Sequence, residues 1–118
     1  MKNLDSFKNI FLHRAIVDGR KQINGLAALV ESEMKHNPFE GSLYVFTTRR
    51  RDFIKLLYWD KCGFALWVKR LEKEKFRWPL KMPDDVIDLT SQQLNWLIDG
   101  YDIMRMKPHA TLAFKAVS

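Results

Sequence analysis

One run of apolar residues, at positions 53–59, restricts the fold more than any other part of this chain. Successive residues of a β-strand point to opposite faces, and here both sets are apolar: Phe53, Leu57 and Trp59 against Ile54, Leu56 and Tyr58. Lys55 is the only charged residue among them. A strand that is apolar on both faces is expected in the interior of a sheet that is covered on both sides.

Three more short runs are rich in β-branched and aromatic residues, at positions 43–47, 64–71 and 76–78. The segments that separate the runs, at positions 48–52, 60–63 and 72–75, are short enough for hairpin turns. Together the runs predict an antiparallel meander of about four strands. Residues 9–12 form another short apolar run, which is consistent with an edge strand or with an ordered lead-in to the fold.

A first helix is predicted from about Gly19 to Lys35. Its apolar residues follow helical spacing: Ile23, Leu26, Ala27, Val30 and Met34. The carboxylate of Asp18 is placed to accept hydrogen bonds from the unpaired N–H groups of the first turn. Asn37 and Pro38 end the pattern, because a proline forces the residue before it out of helical geometry.

A second helix is predicted after a polar connection at positions 80–88. Thr90 at the N-cap and Gln93 three residues later form a capping box, and a hydrophobic staple across it is possible between Leu89 and Leu94. Gly100 is placed to end the helix with a positive φ. Residues 101–118 show little periodicity and are expected to form a tail that is ordered only if something holds it.

The length of 118 residues is that of one domain. We therefore predict a single α+β domain over residues 1–118, with a core at about 9–100, in which the meander packs with two main helices. The residues expected to be largely buried are Leu26, Val30, Val45, Leu57, Leu66, Leu94 and Leu97.

Positive charge is concentrated in the middle of the chain. The whole chain has a net charge of +6, yet residues 43–81 alone hold eleven Lys and Arg against four Asp and Glu. Cations neutralise phosphates and exposed rings stack on bases, so cations interleaved with aromatic residues are typical of a nucleic-acid-binding surface. The candidate contact residues are Arg49, Arg50, Arg51, Lys55, Lys69, Arg70, Lys73, Lys75, Arg77 and Trp78, with Phe76 as a second ring for stacking. The alternative is a solvated face that serves solubility alone.

Two further patterns concern the cellular compartment. Cys62 is the only cysteine, so an intramolecular disulfide is impossible and a reducing compartment is favoured. Charged residues interrupt the apolar residues of the first sixteen positions, which argues against a signal peptide, and no apolar stretch is long enough for a membrane span. We expect a cytoplasmic protein without membrane contact.

Catalytic and cofactor-binding patterns are not recognisable in this sequence. A metal-dependent nuclease needs carboxylates that converge on Mg²⁺. Asp18, Asp52 and Asp60 are the candidates, and each has a local explanation as a helix cap or a turn residue. The three histidines and Cys62 lack metal-ligand spacing, and no phosphate-binding glycine loop occurs. We expect no catalytic residues, no metal site and no cofactor.

Seven blocks in a fixed order resemble one known family. They are DGRKQINGLAALV at 18–30, LYVF at 43–46, RR at 49–50, IKLLYWD at 54–60, GF at 63–64, KRLE at 69–72 and FRWP at 76–79. The chain is similar, from about Ile16 to Gly100, to the small TnpB-type accessory protein encoded by the second open reading frame of bacterial insertion sequences of family sixty-six. The segment from Leu89 to Gly100 resembles the closing helix of that family.

The resemblance implies a protein that assists transposition, while a larger transposase of the same element cuts and joins the strands. This chain departs from the family at three places: Asn24 stands where an acid is usual, Arg51 where a glycine usually follows the two arginines, and Lys61-Cys62 where an acidic or polar residue and often a glycine form the turn. The extra cation at Arg51 favours anion binding, and the missing acid at position 24 argues against a metal ligand there.

Two functions remain open from the sequence. The favoured one is a non-enzymatic accessory protein that binds DNA at the ends of the element through its basic surface. The alternative is an interaction module that docks onto the transposase or another accessory protein, through a sheet edge or the Trp96 helix, without touching nucleic acid.

Overall fold

The computed structural model describes residues 2–106. It shows a mixed sheet with a helix on each face. Within that range the chain runs through a short 3-10 turn at Leu4–Ser6, then β1 (Ile10–His13), α1 (Ile23–Ser32), β2 (Leu43–Thr47), β3 (Phe53–Asp60), β4 (Gly63–Arg70), β5 (Val86–Leu89) and α2 (Ser91–Ile98). The strand order across the sheet is β4-β3-β2-β1-β5. The predicted α+β class is confirmed.

The run that is apolar on both faces occupies the expected place. It forms β3, which pairs antiparallel with β2 on one side and β4 on the other, so that Leu57 lies opposite both Tyr44 and Leu66. Strands β2, β3 and β4 form the predicted meander, with three strands instead of four, and the turns at 48–52 and 61–62 connect them.

Alternation along the strands divides the core into two layers. On one face, Tyr44, Phe46 and Leu57 pack with the buried stripe of α1, which includes Leu26 and Val30. On the other face, the neighbouring strand residues pack against α2 and the chain around it; they include Leu43, Val45, Ile54 and Leu56, together with Leu94 and Leu97 of the helix. All residues predicted to be buried are so, apart from Leu66, which is partly exposed.

Strands β1 and β5 differ from what the sequence predicted for their segments. The run at 9–12 is not an edge strand: β1 lies inside the sheet, parallel to β2 and antiparallel to β5. Residues 80–88 are not purely a connection, since Val86 begins β5. That strand carries an exposed Asp88 between its apolar residues, and only its pairing with β1 identifies it as a strand.

The run at 76–78 was predicted as a fourth strand of the meander, and this was wrong. Residues 71–79 have no regular secondary structure and cross the end of the sheet. Phe76 and Trp78 nevertheless belong to the core layer on the α2 face. The alternation of apolar and polar residues indicates an extended segment with one buried side. Such a segment need not pair with a neighbouring strand.

The two helix starts differ in how well the sequence predicted them. For α2, the capping box is present: the Gln93 backbone N–H donates to Thr90 Oγ1 (3.0 Å) and the Thr90 N–H donates to Gln93 Oε1 (2.9 Å). For α1, the predicted cap is wrong, because the helix begins at Ile23 after Gln22, which makes no side-chain cap. Asp18 instead accepts hydrogen bonds from the backbone and guanidinium of Arg20.

The chain after α2 stays ordered for several residues. Gly100 ends the helix with φ 93°, as predicted. The Tyr101 N–H then donates to the Trp96 carbonyl, and Ile103 is buried in the core. The rest of the predicted tail, residues 107–118, lies outside the described residues.

Candidate nucleic-acid interface

The two cationic clusters of the sequence meet at one end of the sheet. Strands β2 and β4 run in the same direction, so the turn after β2 and the segment after β4 lie side by side. Their backbones are joined by two hydrogen bonds, from Leu71 N–H to the Asp52 carbonyl and from Phe76 N–H to the Arg51 carbonyl, both 2.7 Å long. We call this region the basic end; its cations are Arg49, Arg50, Arg51, Lys73, Lys75 and Arg77.

A concave surface of about 690 Å³ opens at the basic end. We call it the basic cleft, and the cations that line it are Arg51, Lys75, Arg77, Lys81 and Arg105. Two acids, Glu74 and Asp102, also line it, and Asp102 lies 3.7 Å from the Arg105 guanidinium. Lys81 and Arg105 were not predicted. Both lie in segments without regular structure, and only the fold brings them to Arg51.

Arg49 and Arg50 face a second hollow, of about 390 Å³, on the α1 side of the same turn. Both side chains are exposed. Within residues 2–106, their guanidinium groups have no carboxylate partner, and the same holds for the side chains of Lys73, Lys75 and Arg77. Cations with free hydrogen-bond donors are available to an external anion.

Lys55, in contrast, is a core residue. Its side chain is 3% exposed, and its ammonium donates to the carbonyls of Gly19 (3.0 Å) and Lys21 (2.9 Å). Burial lowers the pKa of this amine, although the carboxylate of Asp18 acts in the opposite direction. Lys55 therefore anchors the loop before α1, and the expectation that it extends the basic surface is wrong.

Two more predicted contact residues are occupied by internal partners. The Lys69 ammonium donates to the Ile98 carbonyl (2.9 Å), where it serves the carbonyl-rich end of α2. The Arg70 guanidinium pairs with Glu72 at 2.8 Å, and this hydrogen bond raises the pKa of Arg70. Arg70 remains exposed at the edge of the sheet, and the carboxylate of Glu72 offsets its positive charge locally without burying it.

The rings predicted for base stacking are not at the surface. Phe76 is 1% exposed and Trp78 is 6% exposed. The Trp78 Nε1–H donates to the His13 carbonyl at 3.1 Å, which ties the segment to the end of β1. The charged residues on either side, Lys75 and Arg77, point outward. An apolar residue at every second position was the available signal that one side of this segment is buried.

An exposed ring, Phe39, lies instead at the opposite end of the sheet, beside two half-buried rings. Phe39, Trp59 and Phe64 contact one another with centroid separations of 5.0–5.3 Å, and Phe39 is 54% exposed. We call this cluster the aromatic end. It lies beside the β3–β4 hairpin, whose Asp60 pairs with Lys2 at 3.4 Å.

Asp18, Asp60 and His13, which were considered for catalysis, have structural partners. Asp18 binds Arg20, whose hydrogen bond holds the pKa of the carboxyl far below its usual range, and Asp60 binds Lys2. His13 is buried, with Nδ1 2.7 Å from the Ala15 carbonyl and Nε2 2.8 Å from Glu33 Oε1. Over residues 2–106, no group of three or more His, Cys, Asp or Glu is arranged to hold a metal ion.

None of the helices in the described part of the chain is long and apolar enough to cross a membrane.

Comparison with known proteins identifies the family. The chain matches the family described as IS66 Orf2 like protein over residues 8–108. Two curated relatives come from Sinorhizobium fredii (strain NBRC 101917 / NGR234). Uncharacterized protein y4jC is 36% identical over 91 residues, which cover 77% of both chains. Uncharacterized protein y4hO is 34% identical over 85 residues, covering 72% of this chain and 73% of the relative. No solved structure matches. The chain therefore belongs to the IS66 Orf2-like family, whose members are accessory proteins of insertion sequences.

Proposed function

We propose that this protein assists transposition, without catalysing it, by binding DNA through its basic end in the bacterial cytoplasm. The supporting observation is the convergence of cations on the basic cleft. Arg51, Lys75, Arg77 and Lys81 line one concave surface, and none of them has a carboxylate partner within residues 2–106. Lys55 and Lys69, by contrast, donate to backbone carbonyls inside the protein.

The proposed ligand is duplex DNA, held by its phosphates. Binding of single strands commonly uses exposed rings on which bases stack. At the basic end the nearby rings, Phe76 and Trp78, are buried and cannot stack without local unfolding. Lysine and arginine at this end can still neutralise phosphates, which positions a protein on DNA without reading its sequence.

Binding to duplexes at two or more salt concentrations tests this proposal. The logarithm of the affinity should fall linearly with the logarithm of salt concentration, with a slope of about −0.9 for each phosphate neutralised. Reversing the charge at Arg49, Arg50 and Arg51 should flatten this line, and adding Lys73→Glu and Lys75→Glu should flatten it further. A single strand of equal length should bind more weakly than the duplex.

A matched pair of double variants separates local contacts from total charge. Lys75→Gln with Arg77→Gln removes two charges at the basic end, whereas Lys8→Gln with Lys61→Gln removes two exposed charges at the opposite end. The first variant should flatten the salt dependence by up to about 1.8, and the second should leave it unchanged. An equal effect of both variants, or no effect of either in folded protein, contradicts binding at the basic end.

A second function is favoured by the aromatic end. Aromatic residues are enriched in protein interfaces, and here an exposed ring, Phe39, packs on two half-buried ones, so this surface is a candidate for docking onto the transposase of the element. Co-purification with the transposase at a salt concentration that abolishes DNA binding would support docking, and Phe39→Ser should then weaken it.

The proposal that the protein is not itself a nuclease has its own test. Asp18→Ala and Asp60→Ala should leave DNA processing by the reconstituted transposition system within a few-fold of the unaltered protein. Loss of activity in a folded variant, accompanied by loss of metal affinity, would contradict the non-catalytic role.

A further inference from the structure

The two edges of the sheet differ in how well they are protected from pairing with another strand. At one edge, β5 is only four residues long and carries the exposed Asp88. At the other edge, β4 is eight residues long and contains no proline. Its charged residues, Lys69 and Arg70, both lie at its C-terminal end, and Val68 before them is 43% exposed. Long apolar edges invite pairing, whereas short charged edges prevent it. Residues 63–68 of β4 carry no charge, so this stretch of the edge is unprotected among the described residues.

The backbone groups on the open side of β4 can be assigned from the ladder. The Leu71 N–H donates to the Asp52 carbonyl on the β3 side. In an antiparallel pair, alternate residues direct both backbone groups to the same neighbour. Residues 63, 65, 67 and 69 therefore face β3. Phe64, Leu66, Val68 and Arg70 direct their N–H and C=O groups outward, where no strand of residues 2–106 pairs with them.

We infer that β4 pairs antiparallel with β4 of a second copy of this chain, so that two sheets join into one. With Trp67 on the two-fold axis, each outward-facing residue falls in a hydrogen-bonded pair. Leu66 then lies opposite Val68 of the second copy, and Phe64 lies opposite Arg70 of the second copy. All four positions of one edge are used, and the edge is complementary to itself.

Side-chain chemistry favours this register. Phe64 and Leu66 pack on the α1 face of the sheet, and by alternation Val68 and Arg70 share that face. The central pairs are thus apolar. Each Arg70 approaches the aromatic end of the other copy, where a guanidinium is attracted to ring faces. The two Arg70 residues stand about 20 Å apart, because six residues of extended chain separate the paired positions.

Symmetry gives the dimer a geometric property. A two-fold axis perpendicular to the sheet places the basic end of one copy and that of the other at opposite ends of the joined sheet. If the proposed DNA binding is correct, one dimer presents its two basic ends in opposite directions and can hold two duplexes. The dimer itself does not depend on that binding.

Light scattering and sedimentation of the full chain, without DNA and across a dilution series, test the dimer. We expect a mass of twice 14.0 kDa at high concentration and dissociation on dilution. Val68→Lys places a cation opposite Leu66 of the second copy and should raise the dissociation constant at least tenfold. Ile16→Lys is the matched control, since Ile16 is also apolar and is 41% exposed, and it should have no effect.

Amide hydrogen exchange of the unaltered protein gives a second test that requires no variant. The amides of Leu66 and Val68 should gain protection as the concentration rises, whereas those of Ala65 and Trp67 should be protected at every concentration. A monomer at all concentrations overturns the inference. So does a dimer that survives Val68→Lys and leaves the amides of Leu66 and Val68 unprotected. Loss of DNA binding with the dimer intact would contradict only the proposed function.

Discussion

The basic end and the aromatic end of the sheet expose opposite kinds of side chain. At the basic end, Phe76 and Trp78 are buried while Lys75 and Arg77 reach solvent. At the aromatic end the Phe39 ring is 54% exposed and contacts the half-buried Trp59 and Phe64, and the nearby charge on Asp60 is paired with Lys2. Rings and cations that are neighbours in the sequence are thus separated by the fold.

The difference arises from what each segment has to cover. Residues 71–79 cross the end of the sheet and fill the core layer beside α2, so their apolar side chains turn inward. The Phe39 ring, in contrast, lies outside the sheet and contacts the rings of Trp59 and Phe64 at its margin. An aromatic residue beside cations therefore indicates base stacking only when its ring is not buried in the core.

The largest effect is expected at Trp78. Trp78→Ala should reduce the free energy of unfolding by about 3–5 kcal/mol, because it removes a buried ring and leaves the His13 carbonyl without its donor. The affinity of the remaining folded protein for duplex DNA should be unchanged. Denaturant unfolding and DNA titration measure the two quantities. A variant of normal stability with weakened DNA binding would mean that Trp78 contacts DNA. The basic end would then expose a ring, as the aromatic end does.

Lys55 tests whether a cation near the basic end can be purely structural. Lys55→Met should cost about 2 kcal/mol, since the Gly19 and Lys21 carbonyls lose their donor. Burial lowers the pKa of Lys55 below 10.5, so the unfolded chain binds this proton more tightly than the folded chain. The stability advantage of the unaltered protein over the variant should therefore grow as the pH rises toward 10.5. An advantage that shrinks over this range would contradict the burial of a charged amine.

Arg51 combines a strained backbone conformation with a place in the proposed DNA contact. It has φ 58°, a left-handed conformation that costs most residues free energy and glycine almost none. Arg51→Gly should raise the free energy of unfolding by about 0.5–1 kcal/mol and weaken duplex binding through the lost cation. A more stable variant with unaltered salt dependence would place Arg51 outside the DNA contact.

The smallest effect is expected at the aromatic end. Phe39→Ala removes ring contacts from a half-exposed side chain and should lower stability by about 0.5 kcal/mol. Affinity for duplex DNA should not change, because this ring lies at the opposite end from the basic cleft. Weakened binding comparable to that of the Lys75 and Arg77 variant would mean that DNA contacts both ends.

Local patterns predicted those elements whose cause is local. The capping box at Thr90 involves residues three apart. The run that forms β3 is apolar on both faces, and this pattern alone predicts that both faces are buried. The meander of β2, β3 and β4 follows from short turns between adjacent strands. The family resemblance rested on blocks of consecutive residues and is confirmed by the match over residues 8–108.

Other features depend on residues far apart in the chain. The short strand β5 carries no distinctive pattern, and its partner β1 lies more than 70 positions earlier. Asp18 has the residue type and the position expected of a helix cap. Its carboxylate pairs instead with the charged guanidinium of Arg20, two residues away. Lys55 resembles any surface lysine in sequence, and only the two carbonyls that the folded loop brings to it explain its burial.

The sequence by itself determined the fold class, the meander and the accumulation of cations in residues 43–81, because periodicity and charge are properties of neighbouring residues. The tertiary structure decided which of those cations remain available. Core packing assigned Phe76 and Trp78 to the interior, internal carbonyls took Lys55 and Lys69, and the chain after α2 brought Arg105 to the basic cleft. Each outcome depends on groups that are distant in sequence. They reach the side chain that they bind or cover only when the whole chain packs.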